Sequence, residues 1–317
     1  MNLSILIKDR TIRAAVILLI AAAIFFACPG NLFASEAQDQ KVFNTPEEAV
    51  QALISACQND DTNALLQVFG KEAKGVVDTP DKEAAKKRRA EFCVLAGEQT
   101  KIEKDGEKKA ILIVGNNNWP FPVPLVKEDA GWRFDSAAGR NEILFRLIGE
   151  NEITAIEVCL EYPIVQREYA AQDRNGNGVA EYARKFRSTP GKMDGLYWAS
   201  APGKEESPAG KFLAQAGVNH ADKKGKSTPF SGYYFKILTG QGANAPGGKF
   251  DYIINGHMVA GFALIAYPAE YGTTGIKTFM VNSSGIVYES DLGENTSEIA
   301  GKITEFNPDK NWTPLNK

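Results

Sequence analysis

The character of the sequence changes at Asp173, and that change limits the chain to a two-part α+β architecture. Ahead of it stand well-signalled helices and then hairpins. Thr45 is placed as an N-cap, with Pro46 at the first helical position and Glu48 three residues past the cap. Ala49, Leu53 and Ala56 then share one helical face. Thr62 is expected to cap a short second helix ending at Gly70, and a third helix is expected over Asp81 to Ala96. The basic run Lys86 to Arg89 spreads around that helix, so it reads as solvated surface. Two hairpins follow, turning at Asp105-Gly106 and near Asp129 to Gly131. Pro120, Pro122 and Pro124 mark an irregular or edge strand there. Arg140 to Tyr169 reads as helix, with Pro163 expected to kink it or start a new segment.

Beyond Asp173 glycine is frequent and the segments shorten. Residues 232–240, 247–256, 261–269 and 276–292 read as antiparallel strands, the last a hairpin turning at Ser283-Ser284-Gly285. A closing helix is expected from Thr296 to Phe306. The expected layout is a flexible mature N-terminus over 35–42, a first α+β domain over 43–139, a helical connector over 140–172 and a second α+β domain over 173–317.

The first 34 residues read as a signal peptide. A basic start reaching Arg13 precedes a 14-residue apolar run from Ala14 to Ala27, shorter than the ~20 residues that span a bilayer. Cleavage is expected after Ala34 or Ala37, with lipidation at Cys28 or an uncleaved anchor as the two other readings and the only routes to a membrane. The periplasm is the expected location. Of the formal net charge of −3, residues 1–34 contribute +2, which leaves −5 on the remainder and argues against a nucleic-acid partner. Cys57, Cys93 and Cys159 remain after cleavage. They read as buried thiols, with one Cys57–Cys93 bridge as the alternative, and no Cys-x-x-Cys pair suggests zinc or redox chemistry.

The stretch DRNGNGVAEY, Asp173 to Tyr182, carries the sharpest chemical signal. Asp173, Asn175 and Asn177 stand at alternate positions, Gly178 follows, and Glu181 falls at position 9 of a calcium-loop pattern. Position 12 is Arg184, where an EF-hand has its bidentate glutamate. The competing reading is a turn whose Asn and Asp side chains bond their own backbone. Tyr197 and Trp198, with Tyr233, Tyr234 and Phe235, suit stacking on a sugar or partner peptide, and at alternating strand positions they suit a core first. His257 and His220 are the two histidines. No nucleophile elbow, His-Glu-x-x-His or phosphate-binding glycine loop accompanies them, so no catalytic residue is assigned. His257 is retained as a ligand-binding candidate beside Tyr197 and Trp198.

Three resemblances add to this reading. The order TPEEAV, DTNALLQVFG, a third helix and strands ending in GWRFD resembles nuclear-transport-factor-2-like domains over residues 43–139. It implies a cone in which helices cover the concave face of a curved sheet. The segments REYAAQDRNGNGVAEYARKF, DGLYW, GFALIAYPAEYGTTGIKTFMVNSSGIVYESDLG and FNPDKNW together resemble an uncharacterised family of exported bacterial proteins, domain of unknown function 2950, from about Phe43 to Trp312. Within it, the helix ending in REYAAQ, the Asp/Asn/Gly loop and the FMVNSSGIVY hairpin are similar to the heads of pilins and pseudopilins, which implies a rigid interaction module. The function expected is a non-enzymatic exported binding or assembly protein of the cell envelope, with calcium stiffening the Asp173 loop and an envelope protein or polysaccharide as partner. The alternatives are a periplasmic hydrolase with a site around His257, and an accessory factor of a secretion or pilus system.

Overall fold

The computed structural model describes residues 40–77, 82–199, 205–210 and 229–315. The signal-peptide segment, Cys28 and His220 lie outside the described residues. The chain forms two compact units, Met1–Leu147 and Ile148–Lys317. Each combines helix with antiparallel sheet, and the class is α+β.

In the first unit, α1 (Pro46–Gln58) starts as the sequence indicates: Thr45 Oγ1 accepts from the Glu48 N–H at 3.1 Å. Its inward face buries Ala49, Val50, Leu53 and Ala56. The cap of α2 (Thr62–Phe69) is Asp61 rather than Thr62, because the carboxylate of Asp61 accepts from the Ala64 N–H at 3.0 Å. A 3-10 turn (Lys71–Ala73) leads into the single turn α3 (Lys74–Val77), and α4 covers Lys82–Glu98. Five strands follow: β1 (Thr100–Asp105), β2 (Lys109–Val114), β3 (Trp119–Pro120), β4 (Leu125–Glu128) and β5 (Gly131–Phe134). They pair in the order β1-β2-β4-β5, with β3 on β2. Ala110, Leu112, Val114, Leu125 and Phe134 are fully buried in one cluster with the helices. Pro122 and Pro124 fall between strands, where no ladder needs their missing N–H.

Helix α5 (Ser136–Tyr169) continues through Pro163, so no new segment starts at the proline. Tyr162, Val165 and Tyr169 on either side of the proline are buried in the core of the second unit. Burying such side chains contributes about 1.5–3 kcal/mol each, enough to offset the ~3 kcal/mol of an interior proline.

The second unit's main sheet has the order β15-β13-β12-β11-β6 and is antiparallel throughout. Its strands are β6 (Tyr233–Leu238), β11 (Ala263–Pro268), β12 (Lys277–Asn282), β13 (Val287–Asp291) and β15 (Thr313–Pro314). Ala263, Leu264, Ile265 and Ala266 of β11 are inaccessible, so this strand runs through the centre of the core. The β12–β13 hairpin turns at Ser283 to Gly285 as expected, with Gly285 at φ +77°. A smaller group consists of β7 (Gly240–Gln241), β8 (Phe250–Asp251), β9 (Ile253–Ile254) and β10 (His257–Met258). The closing helix α6 (Thr296–Lys302) is shorter than expected. The chain extends at Ile303, and β14 (Glu305–Phe306) pairs parallel with β7, which removes Phe306 entirely from solvent.

Candidate functional site

Two places hold chemistry, one in each unit. In the second unit the Asp173 loop is closed by its own hydrogen bonds. Asp173 Oδ1 accepts from the N–H groups of Gly176 (2.8 Å) and Asn177 (3.2 Å), and Oδ2 accepts from Gly178 (2.7 Å). Asn175 Oδ1 accepts from the Asn177 N–H at 3.1 Å, and Asn177 Oδ1 from the Val179 N–H at 2.9 Å. Gly178 stands at φ +89°, a conformation that keeps the sharp turn glycine-only in practice.

Glu181, 6% exposed, is where these side chains converge. Its Oε1 accepts from Asn175 Nδ2 (2.8 Å) and Asn177 Nδ2 (2.5 Å), and its Oε2 accepts from the Met258 N–H (3.1 Å). His257 Nδ1 lies 3.4 Å from Oε1 without hydrogen-bond alignment, and that buried nitrogen has no other partner. Burial pushes the Glu181 carboxyl upward, but the donors from Asn175, Asn177 and Met258, with the His257 ring close by, outweigh it and hold the group below the usual glutamate range. Gln166, inaccessible on α5, exchanges both amide bonds with Ala183: Nε2 donates to its carbonyl (2.8 Å) and Oε1 accepts from its N–H (2.9 Å). The loop is thereby fixed on two sides, to the helix and to β10.

The structure brings Asp173, Asn175, Asn177, Glu181 and His257 together. Tyr197 and Trp198 have other partners. The guanidinium of Arg187 lies 5.7 Å from the Tyr197 ring, and that of Arg174 lies 5.7 Å from the Trp198 ring. Arg174 also pairs with Glu205, whose carbonyl accepts from Trp198 Nε1 at 3.0 Å. Trp198 is therefore connected to the Asp173 loop through its neighbour Arg174. Among the described residues, no three His, Cys, Asp or Glu side chains gather as metal ligands.

The second place is a cavity in the first unit, absent from the sequence expectations. It measures about 90 Å³, inside a wider concavity of about 790 Å³ that includes open solvent. A water needs roughly 10–15 Å³ on the smaller measure, so this is a chamber and not a packing defect. Leu53, Phe69, Phe92, Phe121 and Val123 supply apolar wall. Among the described residues, three arginines, Arg88, Arg89 and Arg140, also line it, and no carboxylate does. Arg88 is 7% exposed, which overturns the solvated reading of the basic run for this residue. Arg89 is held by Asp60 (Nε to Oδ1, 2.6 Å) and Arg140 by Glu72 (3.4 Å), both acids standing outside the lining. The signal was present: Ala85, Arg88, Arg89 and Phe92 follow the i, i+3, i+4, i+7 rule of an inward helical face.

Cys57, at the cavity wall, is a free thiol, as are Cys93 and Cys159, so the alternative bridge is not formed. Burial, with Cys93 and Asp60 nearby, pushes the Cys57 thiol up to about 12.

The family model described as "Protein of unknown function (DUF2950)" matches residues 40–315, and the chain belongs to that family. No curated protein and no solved structure matches it.

Proposed function

We propose that this chain is a non-enzymatic binding protein of the bacterial cell envelope, exported to the periplasm, whose first unit holds a small ligand with an apolar body. The observation that carries this reading is the cavity at Leu53, Phe69, Phe92 and Phe121, a preformed chamber with apolar walls. Its charged groups are guanidiniums, which hold anions and neither accept protons nor attack carbon at neutral pH; the Ser136 hydroxyl there is committed to the Phe69 carbonyl, and burial keeps the Cys57 thiol protonated. The second unit then serves as the rigid module suggested by its likeness to pilin heads. The experiment is a fluorescence titration of the full chain with the neutral probe N-phenyl-1-naphthylamine. Saturable binding that Ala85→Trp abolishes, with the variant still folded, is the expected result. Absence of saturable binding would sink the reading.

A second reading concerns calcium at the Asp173 loop. The amides of Asn175 and Asn177 both point at Glu181 Oε1. Half-turns of these two amides would put their oxygens beside a carboxylate oxygen, the donor type calcium takes. The exchange costs the hydrogen bonds Asn175 and Asn177 now donate, and also those their oxygens accept from the N–H groups of Asn177 and Val179. Thermal unfolding with millimolar calcium and then with chelator, beside Asp173→Ala, tests it. A calcium-dependent stabilisation of about 2–3 kcal/mol at ~100-fold excess over the dissociation constant, lost in the variant, supports stiffening. The hydrolase reading asks His257 to work with a carboxylate free to take a proton. Glu181 already accepts from Asn175, Asn177 and Met258, which favours a latch over a base.

A further inference from the structure

The walls and the charges of the first unit's cavity differ in kind, and together they specify a ligand. The inner surface from α1, α2 and α4 is hydrocarbon and phenyl ring: Leu53, Leu65, Phe69 and Phe92, with Phe121 from the segment after β3. Such a surface gains free energy only by displacing water with apolar atoms, in proportion to the area covered. Among the described residues, the lining's charged groups are all of one sign, from three guanidiniums on two helices: Arg88 and Arg89 on α4, Arg140 on α5. A low-dielectric wall beside fixed like charges focuses the field and draws an anion inward. A guanidinium presents a planar fork that matches two oxygens of a carboxylate or phosphate. A neutral apolar ligand would make no use of those guanidiniums. A small inorganic anion would leave the phenyl wall wet.

We infer that the occupant is an amphipathic anion: one unbranched hydrocarbon tail lying against Leu53, Phe69, Phe92 and Phe121, and one oxyanion head at Arg88 and Arg140. Arg89 contributes less, because Asp60 already holds two of its nitrogens. Arg140 is the adjustable contact. Its side chain is 44% exposed and its ion pair with Glu72 is long, at 3.4 Å, so it can exchange that acid for the ligand's head. The head is a carboxylate of a free fatty acid or the phosphate of a single-chain lipid; the guanidinium chemistry is common to both.

This inference rests on the binding reading above, and the test separates the two. The full chain is loaded with N-phenyl-1-naphthylamine, and the probe is displaced by dodecanoate, dodecyl phosphate or dodecanol, three ligands with one tail and different heads. The expected result is that at least one anion displaces the probe about tenfold more tightly than the alcohol, a difference of about 1.4 kcal/mol. The stronger anion names the source. Arg140→Gln, which alters a half-exposed side chain, should bring anion and alcohol within about threefold of each other when each is referred to that variant's own probe affinity. Arg88→Gln should do the same, and circular dichroism checks that this buried change has not unfolded the unit. If dodecanol competes as well as both anions in the wild type, the inference is overturned while the binding reading stands. If the probe itself does not bind, both fall.

Discussion

The two units treat buried polarity in opposite ways. In the second, both oxygens of Glu181 are occupied, by two asparagine amides and one backbone N–H, with the His257 ring beside them. In the first, arginines line a space that the chain itself leaves open. A buried polar group closed on its own neighbours fixes a conformation, whereas a guanidinium that borders open space keeps a face within a ligand's reach even where an acid already holds part of it. The contrast teaches where to look for binding in a protein of this kind. The more conspicuous motif, DRNGNGVAEY, is mainly structural in its bonds, and the less conspicuous run KKRR supplies two of the chamber's three guanidiniums.

The comparison breaks most visibly at Glu181. Glu181→Ala strands the Met258 N–H and two asparagine amides, and a loss of about 3–5 kcal/mol is expected in urea unfolding, measured against wild type. A loss below about 1 kcal/mol would show that the latch does not hold the loop. The folded carboxyl is depressed, so its stabilising contribution is present above the ordinary glutamate range and disappears as pH falls through the lower folded value. Glu181→Gln should flatten that part of the acid limb.

A pair of enlargements sharpens the contrast between open and filled interiors. Ala263→Leu, in the inaccessible centre of β11, should cost about 1–3 kcal/mol by overpacking. Ala85→Leu, which also starts from a buried alanine but faces the cavity, should change stability by less than about 1 kcal/mol while weakening probe binding. Equal costs at both positions would mean the chamber is not open space in solution.

A smaller effect is expected at Asp194. Burial raises its carboxyl, but Lys185 (2.7 Å) and both the N–H and hydroxyl of Thr189 (2.7 and 2.9 Å) bring it down to about 2. Its contribution, about 1–2 kcal/mol, is complete above the unfolded value and is lost as pH falls towards 2. Asp194→Asn should remove that acid dependence without touching the cavity. The smallest signal is chemical. Cys57 and Cys159 are buried with raised thiol values, so iodoacetamide at pH 8 should label the half-buried Cys93 first in the native protein. Early labelling of Cys57 would report opening of the cavity wall.

Local chemistry was legible in the sequence and long-range chemistry was not. The cap at Thr45, the Ser283 to Gly285 turn and the Asp173 loop each depend on residues within a few positions, so their signals survive in one dimension. The same holds for the α+β class, which follows from element order. The Glu181–Met258 bond joins residues 77 apart, and nothing in DRNGNGVAEY announces its partner. Helix α5 survives Pro163 because of what the second unit's core offers Tyr162 and Tyr169, a tertiary reason. The Arg88 reading failed differently. Charge was allowed to decide its side of the helix, although the spacing with Ala85 and Phe92 had already decided it.

The bond from Glu181 to Met258 also has a bearing on time. A loop of that length closes late, since each doubling of the enclosed chain adds about 0.6 kcal/mol of closure entropy before any contact rewards it. On a ribosome the Asp173 turn emerges well before its fastening point exists, and it must wait through β6 to β9 for β10 to arrive. Chains halted before Met258 therefore carry a loop that is bent by its own aspartate and can be held to α5 through Gln166, with its second fastening still missing.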